Sequence, residues 1–257
     1  MHPVIFEFGP FKVYSYGLMV AAAFITAAFL ASQEAARQKV PAEKIFNLSI
    51  YLVAAGVLGA RILYVLQNLE FYLIYPSEIL MLHKGGLSFY GGFILAVICG
   101  IIFLKRQEMP VSATLDIIAP YLALAQAIGR IGCFLNGCCY GKPTNLPFAV
   151  YFPGETIARH PVQIYSSLIL LFIFVILRLF QAKRHKGVFS GQVFLLYCLS
   201  YGSARFFMEY LRGDNLHIFA GFTLHQLISA AVFIISLLIW RKRCKNSLLR
   251  SQSKIKA

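Results

Sequence analysis

The chain has 257 residues, 59% of them hydrophobic and 13% charged, against about 25% charged in a soluble domain. Its 24 Lys and Arg outnumber 10 Asp and Glu, for a net charge of +14. This composition excludes a water-soluble globular protein and calls for lipid as solvent. The basic excess would suit a nucleic-acid partner, but its distribution follows membrane topology instead, and no nucleic acid is expected.

The first residues, Met-His-Pro-Val-Ile-Phe-Glu-Phe, lack the basic start of a signal peptide. Seven apolar stretches then follow, at about 14–32, 46–66, 87–104, 113–135, 163–180, 188–211 and 219–240. Each approaches the roughly 20 residues that cross about 30 Å of hydrocarbon. Alternation of the barrel kind is absent, so they predict helices. The fold class is therefore all-α: a polytopic integral membrane protein of about seven transmembrane helices, with a short interfacial arm and small periplasmic loops. No repeat of 20–50 residues is visible. One seven-span domain over 1–240 and a basic cytoplasmic tail over 241–257 are expected.

Taken in order, the first span opens near Tyr16, and the second carries Arg61. Residues 70–82 are rich in aromatics and leucine and too short to span, which predicts an arm lying on the membrane surface. The third span is entered through Gly85-Gly86-Leu87-Ser88-Phe89-Tyr90-Gly91-Gly92. The fourth has Asp116 near its start, where an acid suits a helix N-terminus. It ends in the densest motif of the chain, which runs from Gly129-Arg130-Ile131-Gly132-Cys133 through Asn136 and Cys138-Cys139 to Gly141. His160 precedes the fifth span and reads as a solvated histidine. The sixth carries Tyr201, Arg205, Glu209 and Arg212 at spacings of four, four and three, on one helix face. His225 and Gln226 open the seventh.

Alternate loops fall on opposite sides. One side holds sixteen Lys and Arg, among them Arg37, Lys44, Lys105, Arg106, Arg178, Arg184, Lys186 and the tail from Arg241 to Lys256. The other holds five: Lys12, Lys84, Lys142, Arg159 and Arg212. The positive-inside rule puts the N-terminus outside and the C-terminus in the cytoplasm, with the basic tail on anionic lipid. At about 1.5 Å per residue, Arg130 and Arg205 then lie about 26 Å up their spans and Arg61 about 22 Å. Tyr16 and Tyr90, on inward-running spans, fall at the same outer level.

An arginine in a span costs at least a few kcal/mol and defaults to a functional hypothesis. Arg205 and Glu209 can pair at i,i+4, which alone would excuse a structural arginine. Three arginines against two carboxylates, Glu209 and Asp214, leave positive charge over. Beside lipid headgroups, guanidinium forks are suited to a phosphate. Cys133, Cys138 and Cys139 have no Cys-x-x-Cys spacing and no nearby histidine, which argues against zinc. A disulfide among them is left open. No metal or cofactor is expected.

Tyr16-Gly17-Leu18-Met19, the Gly86–Gly92 stretch, the Gly129–Gly141 motif, residues 159–165 and residues 201–212 occur in the order seen in bacterial prolipoprotein diacylglyceryl transferases, which the chain resembles over nearly its whole length. The resemblance implies a seven-span inner-membrane enzyme. Such an enzyme transfers the diacylglyceryl group of phosphatidylglycerol to the lipobox cysteine of a preprolipoprotein signal peptide, leaving a thioether and releasing glycerol-1-phosphate. It also implies phosphate contacts for Arg130 and Arg205, site roles for Tyr16 and Tyr201, an acidic partner in Glu209, and binding roles for Asn136 and Gly141. Arg61 and Arg212 join the binding set by their depth and charge, and Tyr90, at the same level, joins Arg130, Arg205 and Tyr201 as a catalytic candidate. The partners would be phosphatidylglycerol, the lipobox and membrane lipids. The chain departs from the family pattern at Tyr90, where many members carry a histidine, at Cys133, where an asparagine is common, and at Cys138, where an acid is. A free tyrosine, with a pKa near 10, is a poor base, though neighbouring arginines favour its phenolate. Two rivals are a related transferase with another acceptor and a lipid or phosphate transporter. A transporter should show midplane charge and repeat symmetry, and neither is visible.

Overall fold

A computed structural model describes residues 1–8, 11–81, 85–183, 189–213, 217–219 and 221–255. Lys84, Arg184, Lys186, Asp214 and Lys256, which enter the charge reading above, lie outside them. Among the described residues, six helices are long and apolar enough to cross a membrane: α1 (Ser15–Arg37), α2 (Ala42–Gln67), α4 (Phe89–Arg106), α5 (Val111–Asn136), α6 (Val162–Ala182) and the Leu224–Ser247 part of α8 (Leu224–Ile255). The chain is thus an all-α, multi-pass membrane protein. The predicted sixth span is shorter than the sequence suggested. It is α7 (Gln192–Met208), 17 residues, continued by a 3-10 turn over Glu209–Leu211. Gly191, at φ 95°, starts the helix later than the apolar run does. α8 continues without a break into the basic tail.

The chain forms two compact units. One comprises residues 31–114. In it α2 and α4 pack closely because glycines face each other. A Cβ on Gly59 would lie 2.4 Å from the Gly91 carbonyl oxygen, and one on Gly91 2.3 Å from that of Gly59. Such small-residue seams are what brings helices together where lipid competes for apolar contact. The predicted arm is present as α3 (Leu69–Ile74) and a 3-10 turn over Pro76–Leu80. Leu73, Ile74 and Leu80 are strongly exposed, as suits an element lying in lipid.

The other unit comprises residues 1–30 and 115–257. Two antiparallel strands that the sequence reading missed, β1 (Val4–Phe8) and β2 (Phe11–Tyr14), lead into α1. The backbone N–H of Ser15 donates to the Pro3 carbonyl at 2.9 Å, and its hydroxyl donates to that of His2. The core of this unit is Ala119, Ala123, Ile173, Leu177, Val193 and Tyr197, from α5, α6 and α7. Two short strands, β3 (His217–Phe219) and β4 (Phe222–Thr223), precede α8.

Asp116, expected at the start of its own helix, serves a second one. Its Oδ2 accepts from the Gly191 N–H at 2.7 Å and its Oδ1 from the Phe194 N–H at 3.0 Å. It therefore caps α7, 75 residues away. The Gln181 amide donates to the Asp116 carbonyl at 3.1 Å. Asp116→Ala leaves buried N–H groups unpaired and should cost about 1–3 kcal/mol. Thermal melting in detergent checks this, and an unchanged midpoint would mean the cap is dispensable.

Candidate active site

Within the unit of residues 1–30 and 115–257, most of the expected site residues converge. Arg205 ends α7 and is 13% exposed, while the Glu209 side chain is fully buried, and its Oε2 lies 2.9 Å from Arg205 Nη2. The other carboxylate oxygen accepts from the Thr223 hydroxyl at 2.9 Å. Thr223 in turn forms a reciprocal cap on α8. Its N–H donates to Gln226 Oε1 at 3.0 Å, and its hydroxyl oxygen accepts from the Gln226 N–H at 3.3 Å. This Thr-x-x-Gln capping box was readable in the sequence, and it fixes the carboxylate that fixes Arg205. Sequence reasoning missed Thr223 and gave Gln226 only a position.

Arg205 also feels the charges of Arg212 and Arg130, and Tyr201 is its neighbour. Tyr201 stacks on Tyr197 with centroids 5.7 Å apart, and the Tyr197 hydroxyl donates to Gln126 at 2.9 Å. Arg130 stands in the last two turns of α5, half-buried, and among the described residues its side chain makes no hydrogen bond or ion pair. Tyr16, at the start of α1, has Arg130 and the three motif cysteines as electrostatic neighbours. The two helices meet where Gly132 leaves room. A Cβ there would lie 2.8 Å from Met19 Cβ and 3.5 Å from the Tyr16 ring.

The end of α5 explains the rest of the motif. After Asn136 the chain turns through Gly137 at φ 73° and Cys139 at φ 62°. The Cys138 N–H donates to the Cys133 carbonyl at 3.1 Å, closing the helix end. The Asn136 side chain bonds Cys138, and the Gln163 amide donates to the Cys138 carbonyl at 2.6 Å. Gly141 then pairs with Arg212 in an isolated bridge, and its N–H donates to the His160 carbonyl at 2.9 Å. The site end of the 3-10 turn and the motif loop are thus joined through backbone. The hydrogen bond from the Cys133 thiol, and then the Arg212 guanidinium, hold Cys139 below the ordinary thiol range, at about 5. In the same loop the Tyr140 hydroxyl and Arg159 hold the Glu155 carboxyl below its usual range, at 2.7 and 2.8 Å. His160 is half-buried rather than solvated, with Nδ1 3.4 Å from the Tyr165 hydroxyl.

Arg61 and Tyr90 belong to the other unit. Arg61 is buried, and its guanidinium donates to the carbonyls of Glu78, Ile79, Gly85 and Gly86 at 2.6–2.9 Å. Those bonds engage most of its five N–H donors and tie down the arm. Tyr90 lies in the first turn of α4, 42% exposed, edge-on to Phe89.

Helices long and apolar enough to cross a membrane, with Arg130 and Arg212 in electrostatic range of the ion-paired Arg205, define a polytopic membrane protein with a cluster of guanidinium groups. A sequence profile described as prolipoprotein diacylglyceryl transferase matches residues 3–241, and the chain belongs to that family. It is 36% identical over 245 residues to a phosphatidylglycerol–prolipoprotein diacylglyceryl transferase from Clostridium tetani, covering 93% of this chain and 97% of the relative. The protein of the same description from Finegoldia magna is 34% identical over 254 residues, with 99% and 100% covered. That from Lactobacillus acidophilus is 32% identical over 256 residues, with 95% and 91% covered.

Proposed function

We propose that the chain transfers the diacylglyceryl group of phosphatidylglycerol to the lipobox cysteine thiol of a preprolipoprotein. The reaction leaves a thioether, releases glycerol-1-phosphate and begins lipoprotein maturation. The observation that carries the site assignment is Arg130, a half-buried guanidinium with no partner among the described residues, within reach of the ion-paired Arg205. Together they suit a phosphate that becomes the leaving group, whose growing charge they would neutralise. Tyr16, Tyr201 and Asn136 would orient the headgroup. Glu209 holds Arg205, and Gly141 and Arg212 join the loop to the helix end. The contacts of Arg61 support a role in holding the arm rather than in taking the phosphate. The family pattern would put a general base at the position of Tyr90, whose free phenol is a poor base at neutral pH.

In this reading the protein resides in the bacterial inner membrane, with its N-terminus periplasmic and its tail cytoplasmic. The charge count supports that orientation. The test of function is lipidation of a lipobox peptide by the purified chain with phosphatidylglycerol. Thioether product with release of glycerol phosphate is expected. No product, or equal product from a Cys→Ser peptide, would overturn the proposal. A periplasm-only reporter fused after Lys245 should be inactive, and activity there would reverse the orientation.

A further inference from the structure

Three thiols at and just beyond the end of α5 have no part in the roles above. The sulfurs of Cys133, Cys138 and Cys139 all lie within 4.8 Å of one another, and none is in a disulfide. The sequence spacing argued against a metal because it lacks the usual paired pattern. The fold supplies what the spacing does not. The left-handed turn at Gly137 and Cys139 folds the chain back on the helix end. For a residue other than glycine, asparagine or aspartate, such a conformation is a strain that the surroundings must hold in place. It brings the last thiol back toward the first. The turn is held from outside by the Gln163 amide, bonded to the Cys138 carbonyl.

Zinc binds thiolate sulfur at about 2.3 Å, so sulfurs of a tetrahedral site stand about 3.8 Å apart. Closing the observed cluster to that spacing requires a movement of under about 1 Å per sulfur. Three protein ligands with a fourth position open is the pattern of reactive rather than purely structural zinc. Three thiolates with a divalent cation carry one net negative charge, and Arg130 and Arg212 lie within electrostatic reach of the cluster.

We propose that Cys133, Cys138 and Cys139 form a three-thiolate site for a thiophilic divalent cation, Zn2+ as the probe, whose fourth position takes the acceptor's thiol. The inference rests on the transferase reading. A thiol bound to such a cation is deprotonated outright, which supplies a nucleophile where the family's common histidine is replaced by Tyr90. The thiol proton leaves to solvent. The thiolate sulfur forms a bond to the glyceryl carbon as the carbon–oxygen bond to phosphate breaks. The electron pair stays on the phosphate oxygen, and the released phosphomonoester takes up a proton. Nothing is oxidised or reduced.

The experiment uses the full chain in detergent with reductant, stripped by a chelator. Competition with a chromophoric chelator should show one equivalent of Zn2+, lost in Cys133→Ser and Cys138→Ser variants that keep wild-type helicity. Co2+ in place of Zn2+ should give thiolate charge-transfer absorption. That absorption should change on addition of a lipobox peptide without lipid, and should not change with the Cys→Ser peptide. Stripped enzyme should transfer at least tenfold more slowly than the Zn2+-loaded form. Binding no tighter than in the Cys138→Ser variant, a cobalt spectrum blind to the peptide, or equal transfer after stripping each overturns it. A spectrum that responds to peptide while no lipid is transferred leaves the site standing and removes the transferase reading.

Discussion

Arg130→Lys and Arg205→Lys should each lower transfer by roughly 10² to 10³, the range seen when one preorganised donor to a developing anion is lost. Lysine keeps the charge but loses the planar fork that takes a phosphate through two parallel bonds. The two variants should differ in stability. Arg130 makes no hydrogen bond or ion pair among the described residues, so its replacement should leave the melting midpoint nearly unchanged. Arg205 pairs with a fully buried carboxylate at 2.9 Å. Weakening that pair loosens the hold on a buried carboxylate that the Thr223 hydroxyl also binds and should lower the midpoint measurably. Steady-state transfer alongside thermal melting reads both effects. Near-normal rates in both variants would mean that the arginines serve the fold alone.

Gly141→Ala should be the most damaging change in the motif that adds only a methyl group. The added Cβ would lie 2.5 Å from Val162 Cγ2, 2.7 Å from His160 Cβ and 2.7 Å from the Leu211 carbonyl oxygen. One of those neighbours is backbone and cannot swing aside. Overpacking of this kind costs typically about 1–3 kcal/mol. The displaced segment carries both the bridge to Arg212 and the turn holding the cysteines, so misplacement should also cost transfer roughly 10²-fold. Gly129→Ala, in the same motif, is the control. Nothing lies within 4 Å of its Cβ, and alanine is the better helix former, so the fold should be kept or slightly stabilised. Equal stability of the two variants would remove the steric account of Gly141.

The sequence made the spans legible because apolar runs of about twenty residues have one solution in lipid. It overestimated the sixth, since apolar character runs on through residues whose backbone is set by Gly191 and by the 3-10 turn after Met208. Arg130, Arg205 and Glu209 could be found because charge inside an apolar stretch is conspicuous. Their partners were harder. Asp116 acts on N–H groups 75 and 78 residues away, a separation that carries no local pattern. Arg61 was conspicuous as a charge in an apolar span, but no periodicity reveals the backbone carbonyls that take up its donors. Residues 133, 138 and 139 look unrelated until two positive φ angles fold them together. The strands of residues 4–14 were missed because a short hairpin beside long apolar runs has little signal of its own.

The brevity of α7 has a consequence for the surrounding lipid. From Gln192 to its first charged residue, Arg205, the helix rises only about 20 Å, short of the roughly 30 Å of hydrocarbon in an average bilayer. Hydrophobic mismatch of this sign is relieved by local thinning, at a fraction of a kcal/mol per Å. Arg205 and the 3-10 turn bearing Glu209 stand at the end of this short helix. In the proposed orientation, thinning at this end would bring the headgroup layer toward the guanidinium, so that a lipid phosphate need not leave its own leaflet to meet it. Bilayers of longer acyl chains make that dimple costlier. Bilayer thickness, apart from any headgroup chemistry, thus becomes a control on how readily the site is filled.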